Sequence, residues 1–130
     1  MKRILAPTLI ALTFTVMFSS TSFAGWTKVV ENDNGSTFYV DFERIRKHGG
    51  YVYFWTLRDG LKPNEHGNFS GKNYNQGDCS LFRYKRLVYV LHKLPMGSDV
   101  GEVHESPNKG WRYPTPNSVN EVMLQEVCSR

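Results

Sequence analysis

The stretch SVNEVMLQEVCSR (118–130) decides the reading of this chain, because it carries a helix-start signal at one end and a cysteine at the other. Ser118 is placed to cap free backbone amides, Glu121 three residues on is placed to reach back in a capping box, and Pro116 stiffens the approach. At about 100° per residue Val119, Met123, Leu124, Val127 and Cys128 share a wide apolar arc, while Ser118, Glu121 and Gln125 form a narrow polar stripe. Asn120 falls inside the apolar arc, where local hydrogen bonding is the only role the sequence suggests for it. A helix of about twelve residues is marginal alone in water, so its far end needs an anchor on the rest of the fold.

The front of the chain says where such an anchor forms. Lys2 and Arg3 precede an apolar run from Ile4 to Phe18, and a small polar stretch then ends in Ser22-Phe23-Ala24. This is the pattern of a secretory signal peptide cut after Ala24, and the run is shorter than the roughly 20 apolar residues of a membrane span. We therefore expect residues 1–24 to be a signal peptide and residues 25–130 a single domain, with no stable membrane insertion after cleavage. No cysteine stands at the cut, so no lipid anchor is expected there, and the destination is the periplasm or the cell surface. In that oxidising setting two cysteines are most simply paired. Cys79 with Cys128 is the one intramolecular pairing; an intermolecular bond is its rival, and the spacing excludes a C-x-x-C redox or zinc motif. Closing a loop of about 50 residues stabilises by roughly 4 kcal/mol on the chain-entropy model. Losing Lys2 and Arg3 takes the basic residues from 16 to 14 against 12 acidic ones, a balance that does not call for nucleic acid.

Between the two ends the segments are short and rich in Val, Tyr, Phe and Thr. WTKVVE (26–31) and STFYVDF (36–42) flank the turn-prone NDNG and predict a hairpin with Gly35 at positive φ. ERIRKHGG (43–50) reads as a polar connection, and YVYFWTLRD (51–59) as a central strand. The stretch from Gly60 to Gly77 holds four glycines, a proline and several asparagines, and reads as a long surface loop. The longest β-like run alternates from Ser80 to His92, with Phe82, Tyr84, Val88 and Val90 on one side and Leu81, Arg83, Lys85, Leu87 and Tyr89 on the other. A turn, a short edge strand and another turn follow before the terminal helix.

Trp26, YVD (39–41), FWTLRD (54–59), DCS (78–80), Trp111 and TPNSVNEVMLQEVC (115–128), taken in that order, resemble the surface-adhesin E family of Gram-negative bacteria. The resemblance covers essentially all of residues 25–130. It implies an α+β fold, an antiparallel sheet of about six strands with one C-terminal helix packed on it and tied by the disulfide. It also implies a non-enzymatic protein that binds host macromolecules such as extracellular-matrix proteins.

The residues themselves show no catalytic constellation. His48, His66, His92 and His104 lack zinc spacing, no serine stands in a G-x-S-x-G setting, and no cofactor or metal is called for. His66 beside Glu65 and His104 beside Glu105 read as solvent-exposed loop histidines. Tyr51, Tyr53 and Trp55 recur every second residue and so line one face of their strand. We read that face as core beneath the helix, with an exposed protein-binding platform as the alternative. Trp26 and Trp111 read as packing residues. Arg83, Tyr84, Lys85 and Arg86 form a basic group able to meet an acidic partner, with an ordinary solvated face as the simpler reading, and Arg44, Arg46 and Lys47 form a second such group. The expectation is a binding module for a protein or other macromolecule, with a soluble periplasmic accessory or inhibitor protein as the alternative. Exposed strand edges also allow a homodimer.

Overall fold

The computed structural model describes residues 25–130; the expected signal peptide lies outside the described residues. Seven strands, β1 (Trp26–Glu31), β2 (Thr37–Asp41), β3 (Arg46–His48), β4 (Tyr51–Asp59), β5 (Ser70–Asp78), β6 (Arg83–His92) and β7 (Glu102–Glu105), precede one helix, α1 (Val119–Cys128). They form one antiparallel sheet in the order β1-β2-β4-β5-β6-β7, with β3 pairing β4 beside the end of β2. This is the α+β architecture the resemblance implied.

The first hairpin forms as its turn residues dictate. Asn32 Oδ1 accepts from the amides of Asn34 and Ser36 at 3.0 and 2.9 Å, and Gly35 has φ +85°. A Cβ there would meet Leu61 Cδ1 at 2.5 Å, an overlap that this exposed side chain can relieve by turning away, so it is the positive φ that calls for glycine. The segment read as a polar connection is more ordered than expected. A short 3-10 turn at Phe42–Arg44 leads into β3, which pairs with Tyr51–Tyr53 through the two-glycine turn at Gly49 and Gly50.

The expected long loop from Gly60 to Gly77 is corrected more sharply, because Ser70–Asp78 is β5, a nine-residue strand between β4 and β6. Its glycines serve close approach. A Cβ on Gly77 would lie 3.0 Å from Val52 Cγ1 and 3.2 Å from both Leu124 Cδ1 and Phe54 Cε1, so the missing side chain is what lets α1 settle on the sheet. β6 also starts later than expected. Residues 79–82 make a turn, with Phe82 at φ 54°, and Cys79 sits at its start. The expected alternation along β6 holds only to Arg86. A bulge leaves Leu87 without a β5 partner, after which Val88 pairs Tyr74, and the faces exchange phase.

Antiparallel partners share a face, so the registers sort the side chains. The helix-side face carries Val40, Val52 and Phe54, which form the core with Met123, Leu124 and Val127 of α1. Ser118 Oγ accepts from the Glu121 amide at 3.1 Å as the capping box requires, while Glu121 Oε1 reaches back to the amide of Asn117 at 2.8 Å. Asn120 finds its partner across the interface, donating through Nδ2 to Tyr84 Oη at 2.9 Å. The Cys79–Cys128 disulfide, with Cα atoms 5.6 Å apart, ties the end of α1 to the turn before β6. On the other face one end is closed by residues 94–101. Ser70 Oγ donates to Leu94 O at 2.6 Å and accepts from Gly97 N at 2.8 Å, and buried His92 pairs with Asp99 at 3.1 Å.

Candidate functional site

The face of the sheet away from α1 carries, at its open end, the side chains that sequence reading placed under the helix. On β4, Val52, Phe54 and Thr56 are buried on the helix side, whereas Tyr51, Tyr53 and Trp55 are half-exposed on the opposite side, where Leu57 is the one buried residue of the strand. The expectation of a core beneath the helix is therefore corrected: the three rings lie half-exposed on the face away from α1. The physical reason is size: α1 lies close against the sheet, over Gly77, and Val40, Val52 and the single ring of Phe54 interdigitate with it there, where the rings of Tyr51, Tyr53 and Trp55 together would hold it off.

β5 and the segment after β7 complete the platform. Tyr74 of β5 lies opposite Trp55 in register, its ring centroid 4.9 Å from that of Trp55 and 6.2 Å from that of Tyr53. Arg112 makes an isolated antiparallel bridge to Tyr84, with paired backbone hydrogen bonds of 2.9 and 2.8 Å. That bridge extends the sheet by one residue and places Trp111 on the platform side, 5.5 Å from the Tyr51 ring. Trp111 in turn carries two cations: Arg83 Cζ is 4.2 Å and Lys85 Nζ 4.5 Å from its ring centroid. Each such contact contributes about 0.5–1 kcal/mol at an exposed site.

Asp78 holds this arrangement in place. Its Oδ2 accepts from Arg83 Nε at 2.8 Å, and its Oδ1 accepts from the amides of Ser80 and Leu81 at 3.1 and 3.2 Å. The Arg83 guanidinium, helped by these amides, holds the Asp78 carboxyl below the usual carboxylate range, and the same bond raises Arg83. Arg83 is thus positioned by Asp78, while Lys85 has no ion-pair partner among the described residues.

The four consecutive residues of the basic group do not stay together. Arg83 and Lys85 lie on the platform, and Tyr84 and Arg86 lie on the helix side, as alternation on a strand demands. The second basic group is exposed, with Arg44 3.4 Å from Asp41 and Lys47 donating to the Arg130 carbonyl at 2.9 Å. His66 is exposed beside Glu65, but His104 lies on β7 and stacks on Tyr89 at 5.0 Å. No group of three or more His, Cys, Asp or Glu positioned for a metal ion occurs among the described residues. Sequence reading passed over Tyr74 and Trp111 as platform members. Alternation of Lys72, Tyr74 and Gln76 was the available signal for Tyr74; Trp111 had none, since its place depends on a single bridge.

The architecture is that of a disulfide-stapled sheet domain, with a helix on one face and an aromatic, cationic platform on the other. The chain belongs to the surface-adhesin protein E family, whose model matches residues 26–129. Solved structures of Haemophilus influenzae protein E share this fold. One superposes with a TM-score of 0.62 at 16% identity, covering 88% of this chain and 91% of that chain. The selenomethionine form gives 0.65 at 16%, covering 90% and 95%, and protein E from the non-typeable bacterium gives 0.60 at 16%, covering 89% and 83%. Comparison with curated proteins finds no match. No helix among the described residues is long and apolar enough to cross a membrane.

Proposed function

We propose that this protein is an exported, non-enzymatic adhesin-like module that grips a protein partner, of the extracellular-matrix kind, through the platform of Tyr51, Tyr53, Trp55, Tyr74 and Trp111 with Arg83 and Lys85. The observation that carries this reading is the stacking of two cations on Trp111 within a row of half-exposed rings that the fold does not use as core. Rigid aromatic residues and arginine dominate binding hot spots, because they offer large contact area with little rotamer entropy to lose. Membership of a surface-adhesin family supports the same direction. Export would begin with cleavage after Ala24, so N-terminal sequencing of the mature protein should start at Gly25.

The test is surface plasmon resonance over immobilised extracellular-matrix protein at physiological salt. Saturable binding is expected, with Trp111→Ala weakening it at least tenfold and Arg83→Glu with Lys85→Glu weakening it in a salt-dependent way. Equal binding by wild type and both variants would remove the platform from the account.

A further inference from the structure

The helix-side face holds a second arrangement that the platform does not involve. Between α1 and the sheet lies a cavity of about 80 Å³ whose floor is unexpectedly polar for the underside of a core helix. Thr56 and Asn75, 4% and 5% exposed, rise from β4 and β5 beside Phe54, and Arg86 and Arg112 enter from the β6 side. Arg86 Nε is buried without a hydrogen-bond partner. Neither guanidinium has a carboxylate within ion-pair reach among the described residues, and no acidic residue lines the cavity. The Asn75 amide makes only long contacts, 3.3–3.5 Å, to Asn73 O, Thr56 Oγ1 and Phe54 O.

Buried polar groups are almost always hydrogen-bonded, and leaving one unpaired is unfavourable, the more so when it is charged. A site that sets this buried guanidinium nitrogen beside a second, half-exposed guanidinium and amide and hydroxyl donors, and supplies no anion of its own, is complementary to an oxyanion. Guanidinium groups present parallel donors that fit a planar carboxylate. The opposite wall, made by Met123 and Leu124, is apolar and suits the aliphatic stem that carries such a group. The cavity is continuous with a larger groove of about 440 Å³ that shares Arg86, Asn73 and Asn120 with it and runs out past Phe38, Tyr89 and Pro107. Arg58 also lines this groove, so its charge is again positive.

We propose that the cavity under α1 takes a carboxylate, the Asp or Glu side chain of an acidic peptide whose backbone follows the groove. The Arg86 guanidinium is the principal binding group, and Arg112 with the Asn75 and Asn120 amides completes the donor set. Because this site lies on the face away from the platform, either reading can fail without the other.

The experiment follows the arginine Nε–H signals of the folded, disulfide-intact protein by NMR during titration with sodium acetate, with inorganic phosphate, and with a short capped peptide carrying one Glu or the isosteric Gln. Acetate should shift Arg86 and Arg112, and no other arginine, saturably, and the Glu peptide should bind at least tenfold more tightly than the Gln peptide. Arg86→Gln should abolish that preference, whereas Arg83→Gln, on the other face, should leave it within about threefold. Equal, unsaturating shifts at all arginines would overturn the site, and stronger binding of phosphate than acetate would overturn its assignment to a carboxylate. Should Arg86→Gln fail to fold, the wild-type titration and a Thr56→Val variant decide the matter alone: an unshifted Arg86 signal refutes the proposal.

Discussion

Replacing Cys79 and Cys128 together by serine should lower the thermal midpoint by roughly 15–30 °C. The bond closes a loop with a sequence separation of 49, which on the chain-entropy model is worth roughly 4 kcal/mol. For a domain of about 100 residues each kcal/mol moves the midpoint by about 4–8 °C, and total stability is only about 5–15 kcal/mol. The loss has a specific location. α1 is ten residues long and marginal as an isolated helix, and it is held by Met123, Leu124 and Val127 against the sheet, with Cys128 as its terminal fixing. The assay is a circular-dichroism melt of wild-type and double-serine protein, with the wild-type disulfide verified by mass under non-reducing conditions. Amide hydrogen exchange run in parallel should show α1 opening first in the variant. A midpoint within about 5 °C of wild type, with α1 protection unchanged, would refute the staple.

Other perturbations test the packing and the electrostatics. Leu124→Ala, on the buried side of α1 and 1% exposed, should cost about 2–5 kcal/mol in denaturant unfolding. Gly101→Ala should destabilise severely, because φ is +82° and the new Cβ would fall 2.5 Å from the buried His92 Cε1; Gly49→Ala shares the cost of a positive φ, +61°, but meets nothing within 4 Å and should be milder. Asp78 has its folded pKa depressed by Arg83, so its stabilising contribution is complete above the unfolded carboxylate value of about 4 and is lost as pH falls through the folded one. The difference in thermal midpoint between wild type and Asp78→Asn should thus be level from about pH 5 to 7 and shrink in acid. A difference that grows in acid would contradict the pairing.

The parts of the fold legible in the sequence are those where local chemistry and global packing agree. Ser118 and Glu121 announce α1, Asn32 and Gly35 announce the first hairpin, and the cysteines announce their own pairing. β5 was illegible because Gly71, Asn73, Asn75 and Gly77 are poor strand formers whose places are set by neighbours on both sides. The platform was misplaced for a related reason. Alternation shows that Tyr51, Tyr53 and Trp55 share a face, yet which face a helix covers depends on how closely it can approach, and that is decided by Gly77 on another strand. The separation of Arg86 from Arg83 and Lys85 was implicit in strand geometry. Reading consecutive basic residues as one patch ignored it, and the cavity beneath α1 was hidden with it.

The three tryptophans offer the most direct measurement of the platform's role. Trp26 is 8% exposed and serves as an internal reference, while Trp55 and Trp111 stand in the platform. In a ¹⁵N-labelled sample titrated with the extracellular-matrix protein that binds in plasmon resonance, the indole N–H signals of Trp55 and Trp111 should shift or broaden while that of Trp26 stays in place. Binding that leaves Trp55 and Trp111 untouched would place the partner elsewhere on the molecule and contradict the account.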